Sequence, residues 1–279
     1  MTNRAIEQVN SAGKPRQPQK PFRITEHPTL ISWCTVGVIG LLWVVAPYAG
    51  WINPLFFPTL PQLLKAFDSL WHQGYLDMTL GQHIEASLLR ILTALVFALI
   101  TAIPLGIIMG LNRVAKAVVD PLIDFYRPVP PLAYLPLIVI WFGIGEVSKI
   151  LLIYLAIFAP LVISASKAVR RVDQNRIQVV RCLGASYWQV IRMVILPAIL
   201  PDLLTGLRIA LGVGWSTLVA AELIAANRGL GFMVESAAQY LSTEIVVAGI
   251  ILIAGIALII EFGLRQLQKH FVSWSLHNA

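Results

Sequence analysis

Apolar residues fill this chain in long runs, and short polar blocks separate them. The runs fall at about residues 29–50, 86–111, 120–143, 148–168, 202–225 and 245–265. Each is close to the ~20 residues that a helix needs to cross a hydrocarbon core. The pattern predicts an all-α integral membrane protein of about six transmembrane helices in one domain, 29–268. A flexible polar tail (1–28) precedes it and a short tail (269–279) follows. The third run carries Pro128, Pro130, Pro131 and Pro136, which must bend or break it.

Two connecting stretches have a pattern of their own. After Pro61, the residues Leu63, Phe67, Leu70 and Trp71 share one helical face. They predict a short helix on the outer membrane surface, or else an ordinary connector packed on the bundle. The second stretch is DQNRIQVVRCLGASYWQVIRMVILP, residues 173–197, within a polar loop at about 169–197. Asp173 can cap a helix on which Ile177, Val180 and Leu183 recur at helical spacing. Gly184 sits where that helix should end. Ser186 with Gln189 forms a capping box for a second helix, and Pro197 marks the next break. The result is two short helices joined at a glycine, projecting as a knob. From its residues alone the knob reads equally as an amphipathic loop or as a docking surface.

Composition narrows the class. Only 13% of residues are charged and 57% are hydrophobic, where a soluble domain carries about twice that charge. The net charge of +7 does not point to nucleic acid, because the cations lie in short blocks between apolar runs. Arg4, Lys14, Arg16, Lys20 and Arg23 lie in the tail, Arg113 and Lys116 in the next same-sided loop, and Lys167, Arg170, Arg171, Arg176, Arg181 and Arg192 around the knob. Arg265 and Lys269 follow the last run, while only Lys65, Lys149 and Arg228 fall on the opposite side. This asymmetry predicts that both termini and the knob are cytoplasmic. The basic N-terminus lacks the cleavage pattern of a secretory signal peptide. Cys34 and Cys182 lie far apart, so neither a disulfide framework nor a metal site is expected, and no cofactor is called for.

Chemistry inside the spans is sparse. In TGLRIALGVGWSTLVAAE, Gly206, Ala210 and Gly214 form a small-residue face suited to close packing, within the chain or across a dimer axis. Trp215, Ser216 and Thr217 are candidates for a pathway wall, although the two hydroxyls can bond back to their own helix. Glu222, near the outer end with Arg228 after it, reads as a structural ion pair or as part of an outer gate. Arg127 can pair with Asp124 and snorkel to the interface. Arg208 should be near the cytoplasm or paired, and Arg90 near the outer side has Glu85 and His83 as possible partners. His27, His72, His83, His270 and His277 all fall in tails or outside the spans, so no catalytic set is expected within the membrane. No G-x-x-x-x-G-K-[ST] phosphate loop occurs, so any ATP hydrolysis needs a separate chain.

The knob resembles the EAA loop of permease subunits in binding-protein-dependent ABC importers. Gly184, nine residues, then Val194-Ile195-Leu196-Pro197 matches the second half of that motif. Gln178-Val179-Val180 replaces the opening Glu-Ala-Ala. In addition, RPVPPLAYLPLIVIWFGIGEVSKILLIYLAIFAP (127–160) and GLRIALGVGWSTLVAAELIAANRGLGFM (206–233) are similar to the permeases of taurine importers. Related aliphatic-sulfonate permeases share the architecture. The resemblance implies a type I ABC importer permease, a non-catalytic subunit in a bacterial inner membrane. It implies a coupling helix on the 173–197 loop, with Gln178, Gly184, Ala185, Ser186, Leu196 and Pro197 at the ATPase contact. The implied partners are two cytoplasmic ATPase subunits, a periplasmic taurine-binding protein and a second copy of the chain, within the lipid bilayer and without nucleic acid. It also gives Arg127 a possible role, facing the sulfonate at the inner mouth. An ion-coupled carrier is the alternative from another class, with Glu222 as its lone candidate relay.

Overall fold

A computed structural model describes residues 56–271 continuously, with single positions between 34 and 49. The chain divides into two units, Met1–Ile52 and Asn53–Ala279. In the first, the described positions from 34 to 45 are helical, and the rest of the first predicted span lies outside the described residues. In the second, the regular elements among the described residues are all helices.

Helix α1 (Leu60–His72) starts on a capping box between Thr59 and Gln62, with Pro61 in its first turn. It buries Leu63, Ala66 and Leu70 and packs on the last helix, α10 (Thr243–Phe271). Trp71, expected on the buried face, is 74% exposed. The packed-connector reading therefore accounts for the inner face of α1, and Trp71 stands off it.

Helix α2 (Leu80–Leu111) is capped by Thr79 and Gln82. Its 32 residues are enough to cross a bilayer with a turn or more to spare. The predicted third span is a bent pair. Helix α3 (Arg113–Tyr126) and helix α4 (Pro131–Phe142) meet at 98°. Pro128 and Pro130 occupy the break and Pro131 opens α4, while Pro136 is tolerated inside it. Helix α5 (Glu146–Arg171) follows, then α6 (Gln174–Cys182), α7 (Tyr187–Val190), a π turn (Ile191–Ile195), α8 (Leu196–Ala225) and α9 (Leu230–Gln239). Four of the described helical stretches are long and apolar enough to span a membrane, and the bent pair makes a fifth if it counts as one span.

The packing is organised around α5. On α2, Ala94, Ala98, Ala102, Gly106 and Gly110 recur every four residues, and the three alanines are fully buried. A Cβ added at Gly106 would lie 2.5 Å from the Ala165 Cβ and 2.7 Å from the Val162 carbonyl oxygen. On the other side of α5, a Cβ at Gly206 would meet Ser164 at 2.3 Å, and one at Gly214 would meet Ile157 at 2.5 Å. The small-residue face of α8 is thus used inside the chain, between α8 and α5. In lipid, such close approach replaces the hydrophobic drive that water supplies elsewhere. Large apolar side chains such as Leu92, Phe97, Ile100, Ile259 and Phe262 point outward, as an apolar solvent allows.

Candidate functional site

The knob forms largely as its residues dictate. The Asp173 carboxylate accepts from the Asn175 N–H at 2.9 Å and caps α6. Gly184 takes φ +85°, where a side chain would be strained. The Ala185 N–H donates to the Val180 carbonyl five residues back, at 3.2 Å, which closes a Schellman-type end. The Ser186 N–H donates to Gln189 Oε1 at 2.8 Å, and the Gln189 N–H returns to Ser186 Oγ. Pro197 does not break the chain as expected. It lies in the first turn of α8, and the π turn just before it carries the helix through from Tyr187 to Ile224. A π turn absorbs the missing donor and the ring clash that proline imposes. Only α6 is therefore a separate short helix, and the second arm of the knob is the start of span five.

Ile177, Val190 and Ile195 are buried against Ala165, Ala168 and Val169 near the end of α5. The opposite surface is apolar and exposed: Leu183 82%, Trp188 76%, Met193 68%, Val179 59% and Tyr187 56%. Gln178, Gly184 and Ser186 are exposed on this side, with Ala185 half-buried beside them. Leu196 and Pro197 open α8. Sequence reasoning did not single out Tyr187 and Trp188. Their signal was large aromatics in an otherwise polar, arginine-bearing loop.

The other end of α5 holds a buried charge cluster. Arg90 is 1% exposed and Glu222 0%. Arg90 grips Glu146 with two parallel bonds, Nε to Oε2 at 2.6 Å and Nη2 to Oε1 at 2.7 Å. Its Nη1 donates to Glu222 Oε1 at 2.6 Å and to the Arg228 carbonyl at 2.8 Å. Glu222 also accepts from the Ser87 hydroxyl at 2.8 Å and from the Gly231 N–H at 2.8 Å. The Leu230 N–H donates to Ser87 Oγ at 2.9 Å. The ring of His83 joins Gly229 to Tyr75: its Nδ1 accepts from the Gly229 N–H at 3.2 Å, and its Nε2 lies 3.2 Å from the Tyr75 carbonyl oxygen. This cluster ties α2, α5 and α8 to the loop before α9. Gly229, at φ +123°, lets the loop pass: a Cβ there would sit 2.5 Å from the Glu222 carboxylate.

These contacts revise the sequence reading at several residues. Arg90 pairs with Glu146 and Glu222, rather than with Glu85 or His83. Glu146 and Glu222 lie 56 and 132 residues from it in sequence, beyond the reach of local pattern. Glu222 is a structural ion pair as one reading had it, but with Arg90, while Arg228 supplies its carbonyl to Arg90. His83 lies in the first turn of α2, fully buried, rather than outside the spans. Arg208 is paired, with Glu261 and Gln268 of α10. Arg127 is exposed and makes no ion pair among the described residues, and the nearby pair is Lys116 with Asp120. The Ser216 and Thr217 hydroxyls both bond back to the Val213 carbonyl, at 2.8 and 2.9 Å. Trp215 is half-buried against the core and lines an apolar cavity with Arg208 and Glu261.

The comparisons with known proteins agree with this architecture. The profile of the family described as binding-protein-dependent transport system inner membrane component matches residues 102–272. TauC, the taurine transport system permease protein of Escherichia coli (strain K12), is 56% identical over 88% of this chain and 89% of its own length. SsuC of Bacillus subtilis (strain 168), whose name refers to aliphatic sulfonates transport, is 35% identical over 85% and 84%. The inward facing MetNI methionine ABC transporter superposes with a TM-score of 0.62 at 18% identity, over 69% of this chain and 96% of that chain. The fold is thus all-α and of the ABC importer permease kind.

Proposed function

This chain belongs to the binding-protein-dependent transport system inner membrane component family, and on that premise we propose that it is the permease subunit of an ATP-driven taurine importer. The observation that carries the coupling role is the knob, which is fixed to α5 from beneath and presents Leu183, Tyr187 and Trp188 outward. Exposed aromatics of this kind are the side chains that anchor protein interfaces. The partner at this surface is a cytoplasmic ATPase, one copy for each of two permease subunits. Gln178, Gly184, Ala185, Ser186, Leu196 and Pro197 frame the contact. ATP-driven approach of the two ATPases moves the two knobs, and the helices follow as rigid bodies.

The substrate assignment rests on the similarity to TauC. Taurine carries a sulfonate and an ammonium, and a permease must release what it admits. A periplasmic binding protein therefore does most of the selecting, and the pathway is polar with few charges. The chain sits in the bacterial inner membrane with both termini cytoplasmic, as the distribution of lysine and arginine indicates. Arg127 is exposed on the break between α3 and α4, where it can meet an anion at the inner mouth. Trp215 is the remaining candidate for the pathway wall. Ser216 and Thr217 are weaker ones, because their hydroxyls are engaged by their own helix.

Two alternatives differ in what would reveal them. Other aliphatic sulfonates are favoured by the relation to SsuC. An ion-coupled carrier is disfavoured, because Glu222 is held by an arginine, a hydroxyl and a backbone N–H and is not free to relay protons. The test is uptake of labelled taurine by cells with and without this gene, with short alkanesulfonates as competitors. Loss of uptake on deletion, with weak competition, is expected. Unchanged taurine uptake moves the substrate to another small organic anion.

A further inference from the structure

Three cations and two carboxylates meet at the outer cluster: Arg90, Lys149 and Arg228 with Glu146 and Glu222. Arg90 alone occupies both oxygens of Glu146 and one of Glu222. Lys149 is left with little. Its side chain is 4% exposed, and its ammonium reaches one acceptor among the described residues, Glu146 Oε1 at 3.3 Å. An ammonium has three donors, and burying one with a single shared acceptor is costly. Arg228 Nε stands 3.9 Å from that same oxygen. Both cations line a cavity of about 530 Å³, together with Gly145, Asn227 and the Glu146 carboxylate they share. The cavity also meets the start of α5, where no side chain caps the first turn. The open N–H groups of a helix start carry partial positive charge.

The geometry points to this cavity as a binding site for the oxyanion head of a small organic anion, with Lys149, Arg228 and the first turn of α5 as its donors. An oxyanion there supplies acceptors that the Lys149 ammonium lacks. Glu85 lines an adjoining cavity, which shares Met78, Glu146 and Arg228 with this one and offers a carboxylate to the ammonium of a zwitterion. That the head is the sulfonate of taurine, received from the binding protein, rests on the importer proposed above. The site needs to hold it only briefly, because Arg228 is half exposed and its hold is correspondingly loose.

Charge-selective labelling tests the site without requiring transport. The full chain, purified in detergent, carries Asn227→Cys, with the exposed Cys34 and Cys182 replaced by serine. Its modification by 2-sulfonatoethyl methanethiosulfonate is compared with that by the 2-(trimethylammonio)ethyl reagent, each normalised to its rate with a free thiol. A preference of ~10-fold for the sulfonate reagent is expected, as a focused positive field gives. Lys149→Met or Arg228→Gln should reduce it several-fold, and ethanesulfonate should slow the reaction. Arg228→Gln keeps the test valid if Lys149→Met does not fold. Equal normalised rates, or a preference that neither variant changes, overturn the site. Taurine uptake by the unmodified transporter is measured alongside. Uptake without the labelling preference refutes the site and leaves the importer. The preference without taurine uptake keeps the site and refutes the substrate.

Discussion

The two ends of α5 lie roughly 38 Å apart along the helix and do opposite things with similar side chains. At the first end, Arg90, Glu146, Glu222, Ser87 and His83 are joined across three helices and a loop, and most are buried. Beyond the second end, Arg176, Arg181, Gln178 and Gln189 are in solvent, and the large apolar groups beside them are exposed. The charged end is closed within the subunit apart from the loose pair Lys149 and Arg228. The apolar end leaves its largest side chains unmatched. The first arrangement holds helices together, whereas the second is the proposed seat of another chain. Arginine occurs at both ends, buried and paired at the first and exposed at the second.

That contrast predicts losses of different kinds. Arg90→Leu leaves the Glu222 carboxylate, 0% exposed, without its counter-charge. It should cost about 3–5 kcal/mol, seen as a lower melting temperature and less protein in the membrane, and wild-type melting would erase the contrast. Gly184→Val forces a branched side chain into φ +85°, a local strain of about 1–2 kcal/mol. The spans should still insert while taurine uptake is abolished, and normal uptake would end the coupling role of the knob. Trp188→Ala should leave melting within about 0.5 kcal/mol of wild type yet cut substrate-stimulated ATP hydrolysis by ~10-fold or more, as loss of an interface anchor does. A melting loss as large as that of Arg90→Leu would show that Trp188 belongs to the fold instead. Ser216→Ala should change neither melting nor uptake measurably, since its hydroxyl is satisfied by Val213 of its own turn. A drop in uptake with that variant would restore Ser216 to the pathway wall.

Much of the local structure was legible. Pro61, Asp173, and Ser186 with Gln189 stand at helix starts as their residue types require, and Gly184 turns where a left-handed residue is required. The proline run in span three announced its break, though not the 98° angle, which packing sets. Periodicity also marked the small-residue face of α8, but not its destination, which is α5. Contacts distant in sequence were beyond reach. The pairing of Arg90 with Glu146 and Glu222 depends on helix order and register, and neither is encoded in a local window. Pro197 misled because its usual effect is a break, whereas a π turn placed just upstream cancels it. Trp188 was overlooked for a different reason: an aromatic in a short helix looks like core until its exposure is known.

The π turn at Ile191–Ile195 has a mechanical consequence. Each residue of an α-helix advances the side chains by about 100° around the axis, and a π turn accommodates one residue more than the α ladder would. It therefore takes up one extra residue and keeps the knob in phase with the rest of α8. Deleting a single residue from 191–195 would let the ladder close with Trp188 near its present azimuth, whereas deleting one from the regular ladder of α8 would swing Trp188 by about 100° about the helix axis. The coupling proposed for the knob thus runs through a joint that tolerates the loss of one residue, in a helix that elsewhere does not.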